Sequence, residues 1–465
     1  MIRFFALFLL LSSAAFAQKK PDVLFIAVDD LNDWTTYLGG HPQTKTPNID
    51  RLVARGMAFT NAHCAAPACN PSRAALMSGL RPWQTGVYTN NDPAQDVLKD
   101  VVTINRHFLA NGYNTLGGGK IYHGYGSEGR TDSWTKWEGL FPTINDHDAN
   151  KNGLDRGHFD WGAVTAKTEE MGDYKSTNWA IDQLKNAPAD KPLFLALGYI
   201  KPHLPWYVPQ EYYDRFPLAD IKLPVTKELD LDDIPKMGVK MAGPEGDHAA
   251  VVKADQWKKA VQAYLATISF LDDQVGRLLD GLDQSPRKDK TIIVWWTDHG
   301  WNLGEKEHWR KFALWEETTR TSMAIIAPGV TKAGSTCAAP VDYMNMYPTV
   351  CELTGLPVPE HVKGASLMPL LKDPAAKWDG VAVCTHGKGN HAVRDANWRY
   401  IRYADGSEEL YDHSKDPYEW TNLAGAVGMS DTKARLAAAL PKEEVKATNA
   451  GKKKGEGKGK KKKAE

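Results

Sequence analysis

One segment combines a nucleophile, a cation and a helix start. Cys69 stands just before Pro71 and Ser72, Arg73 follows, and an apolar run continues from there. Proline and serine are favoured in the first turn and cap of a helix, so the pattern predicts Cys69 at a helix N-terminus. The free N–H groups and the dipole there favour an anion or a thiolate, and Arg73 can reach the same spot. The alternative is a buried structural cysteine beside a helix start.

Two predicted strands are each followed by side chains of the kind that bind metal ions. The strands are continuous apolar runs, typical of strands covered on both faces. The strands and the residues after them are Asp22–Val28 with Asp29 and Asp30, and Thr291–Trp296 with Asp298 and His299. In open α/β sheets ligands gather beyond the carboxyl ends of strands, and adjacent carboxylates repel unless a cation joins them. Oxygen ligands favour Ca²⁺ or Mg²⁺. A turn with solvated acids is the alternative.

Cationic side chains lie in predicted turns and strand ends, where functional residues concentrate. Glycines at 117–119 before Lys120 allow the backbone to approach a ligand closely, and two prolines stiffen the loop that holds His203. Each residue alone could be a surface charge or a core histidine. Together they could surround a tetrahedral anion; they are Arg73, Lys120, His123, His203 and Lys311.

The segment Cys69–Gly79 resembles the sulfatase signature C-x-P-S-R-x-x-x-x-[ST]-G at every fixed position. The predicted helix Thr46–Gly56 and the C-terminal stretch Glu409–Leu423 are also similar to sulfatases. The resemblance implies the α/β fold of the alkaline phosphatase superfamily. It also implies that a formylglycine-generating enzyme oxidises Cys69 to formylglycine, whose hydrate attacks the sulfur of a sulfate ester.

The resemblance further implies a role for each matching residue. One divalent cation, usually calcium in this family, would be held by Asp29, Asp30, Cys69, Asp298 and His299. Arg73 and Lys120 would hold the hydrate and the metal site, and His123 would be the base. Lys311 and His203 would grip the sulfate oxygens, with His203 as proton donor to the leaving alcohol.

Two features point to one branch of the family. Many sulfatases have Lys-x-His, whereas here two residues separate Lys120 from His123. This spacing and the run Gly198–His203 resemble the iduronate-2-sulfatase branch, which favours a sulfated carbohydrate over a simple aryl sulfate. His308 and Arg310 could then bind a uronate carboxylate as substrate-binding residues. The linkage stays open, and choline sulfate remains an alternative substrate.

The wider pattern predicts an α/β fold with a smaller C-terminal antiparallel sheet, and the resemblance implies that the main sheet is large, mixed, mostly parallel and flanked by helices. Helical spacing of apolar residues predicts helices at Ile104–Asn111 and at 256–282, the second as scaffold. Further strands are predicted at Leu193–Tyr199 and Ser322–Ala327. From about residue 380, turn residues separate short strands at Val381–Thr385, Ala392–Arg394, Arg399–Tyr403 and Glu409–Tyr411, with a helix at Asp431–Leu440.

The predicted organisation is a signal peptide at 1–17, a catalytic domain at 18–375, a C-terminal subdomain at 376–441 and a disordered Lys/Gly-rich tail at 442–465. Met1–Ala17 predicts export to a periplasm or beyond, and no run reaches transmembrane length. The formal net charge is zero, but the last 25 residues hold ten Lys and four Glu, so the rest carries −6. The acidic folded part argues against nucleic acid as ligand. The tail is either solubilising or binds an anionic surface.

Two questions stay open in the sequence. The five cysteines are Cys64, Cys69, Cys337, Cys351 and Cys384, so four remain to pair if Cys69 is modified, and their pairing and the oligomeric state are not determined. The alternative functions are a phosphate or phosphonate ester hydrolase of the same superfamily, or a non-catalytic sulfated-glycan binder whose Cys69 is never converted.

Overall fold

The structure is a computed structural model that describes residues 20–124, 133–142 and 150–448. The predicted signal peptide and the Lys/Gly-rich stretch 452–463 lie outside the described residues. The strands, in chain order, are β1 (Asp22–Val28), β2 (Met57–Phe59), β3 (Ala62–His63), β4 (Asn114–Gly119), β5 (Lys136–Trp137), β6 (Trp161–Val164), β7 (Leu193–Tyr199), β8 (Trp206–Pro209), β9 (Thr291–Thr297), β10 (Asn302–Leu303), β11 (Trp309–Arg310), β12 (Met323–Ile326), β13 (Ser335–Cys337), β14 (Val341–Asp342), β15 (Ala382–Thr385), β16 (His391–Arg394), β17 (Trp398–Arg402) and β18 (Glu408–Asp412).

The helices, in chain order, are α1 (Pro47–Val53), α2 (Cys69–Ser78), α3 (Pro82–Thr85), α4 (Ala94–Val97), α5 (Ile104–Ala110), α6 (Gly172–Asn186), α7 (Gln210–Tyr213), α8 (Lys236–Ala242), α9 (Asp247–Lys253), α10 (Trp257–Asp283), α11 (Glu316–Thr319), α12 (Met346–Thr354), α13 (Met368–Lys372) and α14 (Ser430–Ala437). Short 3₁₀ turns lie at Thr168–Glu170, Leu218–Asp220, Lys288–Lys290, Glu305–Glu307 and Tyr343–Asn345.

The large sheet has eight strands in the order β13-β2-β12-β9-β1-β7-β4-β5. The five strands from β9 to β5 run parallel to one another, while β12 runs antiparallel to both β9 and β2. The prediction of a mixed, mostly parallel sheet is confirmed. Because parallel strands end at the same edge, the segments after β9, β1, β7 and β4 lie side by side.

Helices cover both faces of the sheet, which explains the uninterrupted apolar strands. In β1, Leu24 and Ile26 belong to the core on the α10 side, whereas Val23 and Phe25 belong to the core on the α2 side. Successive side chains of a strand point to opposite faces, so a strand buried on both sides needs apolar residues throughout. The long α10 packs its apolar face here as predicted, from Trp257 to Asp283.

The C-terminal part forms the small antiparallel sheet β15-β16-β17-β18 with α14. All four predicted strands and the helix are present, with ends shifted by at most a few residues. The tail prediction is corrected for residues 442–448, because Val445 N donates to Trp83 O at 2.8 Å and Thr448 N to Gly86 O at 3.2 Å. Backbone hydrogen bonds hold this stretch on the domain. The domain boundaries themselves stay a prediction.

Candidate active site

Four parallel strands deliver polar side chains to one edge of the sheet. Asp29 and Asp30 follow β1, and Asp298 and His299 follow its neighbour β9. Lys120 follows β4, and His203 lies in the loop after β7, which ends at Tyr199. The strand-end residues predicted from separate parts of the chain therefore converge, because β9, β1, β7 and β4 are neighbours in the sheet.

Cys69 is the first residue of α2, as predicted, and is fully buried. Its Sγ lies 3.4 Å from His299 Nε2 and 3.1 Å from Lys311 Nζ. In a formylglycine at this position the Cβ of residue 69 would be the aldehyde carbon, and an oxygen of the aldehyde or its hydrate would take the place of the sulfur. Gly79 closes α2 with a left-handed backbone, φ 71°, and so stops the helix after Ser78.

Five potential ligand atoms lie within 4.8 Å of one another, from the same five residues that the sequence suggests: Asp29, Asp30, Cys69, Asp298 and His299. All five residues are buried. The Oδ2 atom of Asp30 is buried without a hydrogen-bond partner. Three convergent carboxylates with one orphaned oxygen suit a hard divalent cation.

Three cations lie against these carboxylates. Arg73 donates from Nε to Asp298 Oδ2 at 2.9 Å, and its Nη2 lies 3.3 Å from Asp29 Oδ1. Lys120 Nζ pairs with Asp29, and Lys311 Nζ pairs with Asp30 Oδ1 at 2.6 Å. Both lysines also reach Cys69 Sγ, with Lys120 at 3.9 Å. The sulfur of Cys69 is therefore flanked by two ammonium groups.

Burial and these charges shift the titration of the site. Burial raises the pKa of Asp30 to about 7, although Lys311 opposes it. For Asp29, burial is outweighed by Lys120 and its other cationic neighbours, which hold the pKa well below its usual value. Burial also raises the pKa of the Cys69 thiol and lowers that of His299 to about 4. In the absence of a cation, the imidazole of His299 is thus uncharged at neutral pH, and one of its nitrogen atoms can bind a metal ion.

The two other predicted histidines differ in their contacts. His203 Nε2 lies 3.8 Å from Asp30 Oδ2, and its Nδ1 lies 2.5 Å from Leu204 O. The carbonyl oxygen accepts, so Nδ1 carries the proton and Nε2 faces the site. His123 is half-buried with Nδ1 unpartnered, and burial with the charge of Lys120 lowers its pKa to about 4.

The predicted substrate-binding residues have partners inside the protein. His308 is buried, with Nδ1 2.8 Å from Ala242 O and Nε2 2.9 Å from Lys311 O. Arg310 donates to Asp247 Oδ2 at 2.5 Å, and its guanidinium lies 4.4 Å from the ring centre of Phe159. His308 thus contacts the backbone of Lys311, and a uronate contact for either residue stays a prediction.

Two supporting residues were not predicted. Tyr264 in α10 donates to Asp30 O at 2.7 Å and accepts from Asn32 N at 3.0 Å. Ser72 donates to Asp298 O at 2.5 Å. Tyr264 occupies an apolar position of a regular amphipathic helix, so the sequence contains no signal that it contacts the site.

A second group of possible ligands lies between the large domain and the C-terminal sheet. Glu316, His413 and Glu419 bring their ligand atoms within 4.8 Å of one another. Arg394 and Arg399 pair with the same carboxylates. Because two guanidinium groups already neutralise the two acids, we interpret these five residues as an ion-pair cluster that joins the two parts of the chain.

Comparison with protein families gives two matches. Residues 21–356 match the model described as sulfatase, and residues 304–446 match the model described as N-sulphoglucosamine sulphohydrolase, C-terminal. Among curated relatives, a sulfatase of Formosa agariphila is 40% identical over 91% of this chain and 87% of its own length. Human iduronate 2-sulfatase is 30% identical over 73% of this chain and 70% of its own length.

Solved structures share the fold. A structure in complex with its substrate D-glucosamine-2-N,6-O-disulfate has a TM-score of 0.72 and 21% identity, covering 90% of this chain and 96% of that one. The phosphonate monoester hydrolase of Agrobacterium radiobacter has a TM-score of 0.70 and 20% identity, covering 90% and 94%. At these identities the likeness concerns the fold.

Proposed function

Because the chain belongs to the sulfatase family and is a sulfuric ester hydrolase, we propose that it cleaves sulfate esters of a carbohydrate at Cys69 beside a divalent cation. The observation that carries the proposal is the position of Cys69. Its Sγ lies among five clustered ligand atoms and within 3.9 Å of two lysine ammonium groups. A nucleophile placed there meets an anion that is held by positive charge on several sides.

Charge balance supports a bound cation. The carboxylates of Asp29, Asp30 and Asp298 are matched by three cationic partners, Arg73, Lys120 and Lys311, so the pairs alone leave no surplus charge for an anionic substrate. A divalent cation, which we propose to be calcium, would leave the site positive. The buried Oδ2 of Asp30 has no hydrogen-bond partner among the protein groups and would be able to bind such a cation.

When bound, the cation withdraws charge from the sulfate oxygens, and conversion of Cys69 to formylglycine supplies a hydrated aldehyde as nucleophile. The chain's own residues orient these groups. We assign Arg73 and Lys120 to holding Asp29, Asp298 and the nucleophile in place. Arg73 contacts both carboxylates, and Lys120 contacts Asp29 and Cys69 Sγ. Lys311, 3.1 Å from Cys69 Sγ, holds a sulfate oxygen.

Proton transfer falls to the two histidines. His203 presents Nε2 to the site, and burial together with Lys120 keeps its pKa low in the free enzyme. A bound sulfate anion beside the ring would raise that pKa and favour the protonated donor for the leaving alcohol. His123 is neutral at pH 7, because its pKa is about 4, and is thereby able to accept a proton from the hydrate.

A sulfated carbohydrate is supported as substrate by two comparisons. A relative is named for iduronate 2-sulfate, and a structural neighbour binds glucosamine disulfate. Arg310, which is half-buried and pairs with Asp247, is the residue we assign to a second anionic group of the sugar. Formylglycine formation requires a formylglycine-generating enzyme as a maturation partner.

The test combines mass spectrometry with sulfate release. In protein co-expressed with a formylglycine-generating enzyme, the tryptic peptide 56–73 should carry formylglycine at residue 69, and sulfate should be released from sulfated saccharides. The Cys69→Ala variant should keep the circular dichroism spectrum and melting temperature but release no sulfate. Wild-type release by Cys69→Ala refutes the proposed nucleophile.

The same assay separates the alternative functions. The fold of the Agrobacterium enzyme motivates parallel assays on phosphate and phosphonate monoesters, and a higher kcat/KM on those than on every sulfate ester favours that class. Binding of sulfated glycans without release, together with an unconverted Cys69 in the native host, favours a non-catalytic binder.

We also propose that the protein is exported, on the basis of the signal-like Met1–Ala17. Among the described residues, no helix has the length and apolar character needed to cross a membrane. Fractionation of cells expressing the full chain should place the mature protein, beginning after residue 17, outside the cytoplasm. N-terminal sequencing that finds Met1 retained contradicts this.

A further inference from the structure

Two of the cysteines meet at the contact between the large domain and the C-terminal sheet. Cys64 follows β3, and Cys384 lies within β15, 320 residues later in the chain. Their sulfur atoms are 3.7 Å apart, and both side chains are buried. All five cysteines lie in the described part of the chain. Unlike Cys64 and Cys384, Cys337 directs its sulfur at a backbone oxygen, that of Pro374, at 3.8 Å.

We propose that Cys64 and Cys384 are a modification site and form a disulfide that joins the catalytic domain to the C-terminal sheet. A sulfur–sulfur bond of about 2.05 Å requires the two sulfur atoms to approach by less than 2 Å from their present separation. Both thiols lose a proton and together they give two electrons to a second disulfide of the glutathione or thiol-oxidoreductase class. That disulfide is cleaved to two thiols, so atoms and electrons balance.

The cross-link would secure the loop that leads to the nucleophile. Residues 64–69 form a short buried segment between Cys64 and Cys69. Ala65 O accepts from Thr385 N at 2.9 Å, next to Cys384, and Pro67 O accepts from Phe312 N at 3.0 Å, next to Lys311. A bond at Cys64 thus fixes one end of a segment whose other contacts position Cys69 and Lys311.

Burial sets the order of events. The thiols are inaccessible in the folded chain, and burial with the nearby Cys384 raises the pKa of Cys64 well above its ordinary value. Thiol–disulfide exchange requires a thiolate and access. The bond should therefore form while the C-terminal sheet is docking and resist reduction once the sheet has docked.

Peptide mapping without reductant tests the proposal directly. Full-length protein refolded in a glutathione redox buffer is alkylated and digested with trypsin. The expected product links peptide 56–73 to peptide 378–388 with the loss of two hydrogen atoms. Because peptide 56–73 holds both Cys64 and Cys69, the Cys69→Ala variant is mapped in parallel and should give the same link.

Variants and stability provide the second measurement. Reductant present during refolding should lower the melting temperature of the Cys69→Ala protein by about 5 °C. Reductant should leave the melting temperature of the Cys64→Ser protein unchanged. In the control variant Cys351→Ser, which keeps Cys64 and Cys384, it should lower the melting temperature as it does in the protein without that substitution. Absence of the linked peptide after refolding with excess oxidised glutathione, or a link that involves Cys337 or Cys351 instead, overturns the proposal. Neither readout depends on sulfatase activity.

Discussion

At the residue scale, Asp30 combines an unfavourable backbone with a buried carboxylate. Its φ of 60° lies in the left-handed region, which a residue other than glycine rarely adopts. Tyr264 holds this turn on both sides through Asp30 O and Asn32 N. A left-handed aspartate with an orphaned oxygen persists where neighbouring groups over-determine its position, and such positions cluster at functional sites.

Removal of this tyrosine hydroxyl should weaken the site without unfolding the protein. Tyr264→Phe leaves Asp30 O and Asn32 N without their partner, which should lower the free energy of unfolding by about 1–3 kcal/mol. The affinity for the proposed calcium ion, measured by titration calorimetry, should fall by about tenfold because the loop that carries Asp30 is less ordered. Tyr347→Phe is the matched control. The Tyr347 hydroxyl also donates to a backbone carbonyl, Val102 O, at 3.0 Å, but this hydrogen bond lies away from the site. Equal calcium affinity in both variants would contradict a positioning role.

His308 separates a positioning role from a substrate-reading role. Its Nε2 contacts Lys311 O, so His308→Ala should displace Lys311 and lower kcat about tenfold on every sulfate ester. Arg310→Ala should instead raise KM selectively for substrates that carry a second anionic group. Steady-state kinetics on matched sulfated saccharides with and without a uronate distinguish the two. A loss confined to uronate-containing substrates in His308→Ala supports direct contact with the carboxylate.

At the element scale, the position of Lys120 depends on how closely β4 and β7 end beside each other. Lys120 N donates to Gly198 O at 2.9 Å. A Cβ on Gly198 would clash with the backbone of Lys120, and one on Gly119, whose φ is 76°, would clash with the carbonyl of Gly198. Glycine is therefore required on both strands for Lys120 to reach Asp29.

Adding one methyl group at this crossing should disturb the site strongly. Gly198→Ala forces the two strand ends apart, with an expected loss of about 3 kcal/mol in the free energy of unfolding. Displacement of Lys120 should reduce kcat/KM by about 100-fold. Gly425→Ala is the control, because no atom lies within 4 Å of its added Cβ. Urea unfolding and sulfate release measure the two effects, and an unchanged Gly198→Ala protein would contradict the close approach.

At the scale of the whole molecule, the ion-pair cluster joins the C-terminal sheet to the large domain. Arg399 is buried and pairs with Glu316 and Glu419, while His413 Nε2 lies 2.9 Å from Glu419 Oε1. Burial opposes the charge of Glu316, but Arg394 and Arg399 outweigh it and hold its pKa well below the usual range. Arg399 and His413 lower the pKa of Glu419 in the same way.

These depressed pKa values predict loss of stability in acid. A carboxylate whose pKa is lower in the folded state stabilises the fold above its unfolded pKa of about 4.3, and that contribution is lost as pH falls through the folded value. In urea unfolding measured from pH 6 to pH 3, the midpoint concentration of urea should therefore decrease once the pH is below about 4.3. Glu316→Gln should be about 3–5 kcal/mol less stable at pH 6 and show a shallower drop in acid. The exposed Glu443→Gln should match wild type, and equal slopes in all three proteins would refute the assignment.

Local patterns in the sequence predicted the helices and strands and the residues of the candidate site. The apolar run Asp22–Val28, the spacing in Trp257–Asp283 and the turn residues after position 380 predict elements because strand and helix periodicity is a property of neighbouring residues. The signature at Cys69 and the acids after two strands predicted the five residues whose possible ligand atoms cluster in the structure. These residues lie at fixed offsets from elements, so the chain itself shows where they stand.

Tertiary structure alone decided which of these residues meet. The order β9-β1-β7-β4 places Asp298, Asp29 and Lys120 at one edge, and that order depends on long-range pairing that no local pattern contains. Likewise, only the packing turns His308 toward the Lys311 backbone, brings Tyr264 beneath Asp30 and sets Cys64 against Cys384. The contacts of Tyr264 and of Cys64 join residues far apart in the chain, and the contact of His308 depends on how one loop folds back on itself. These contacts form only when the residues are buried together in the folded core.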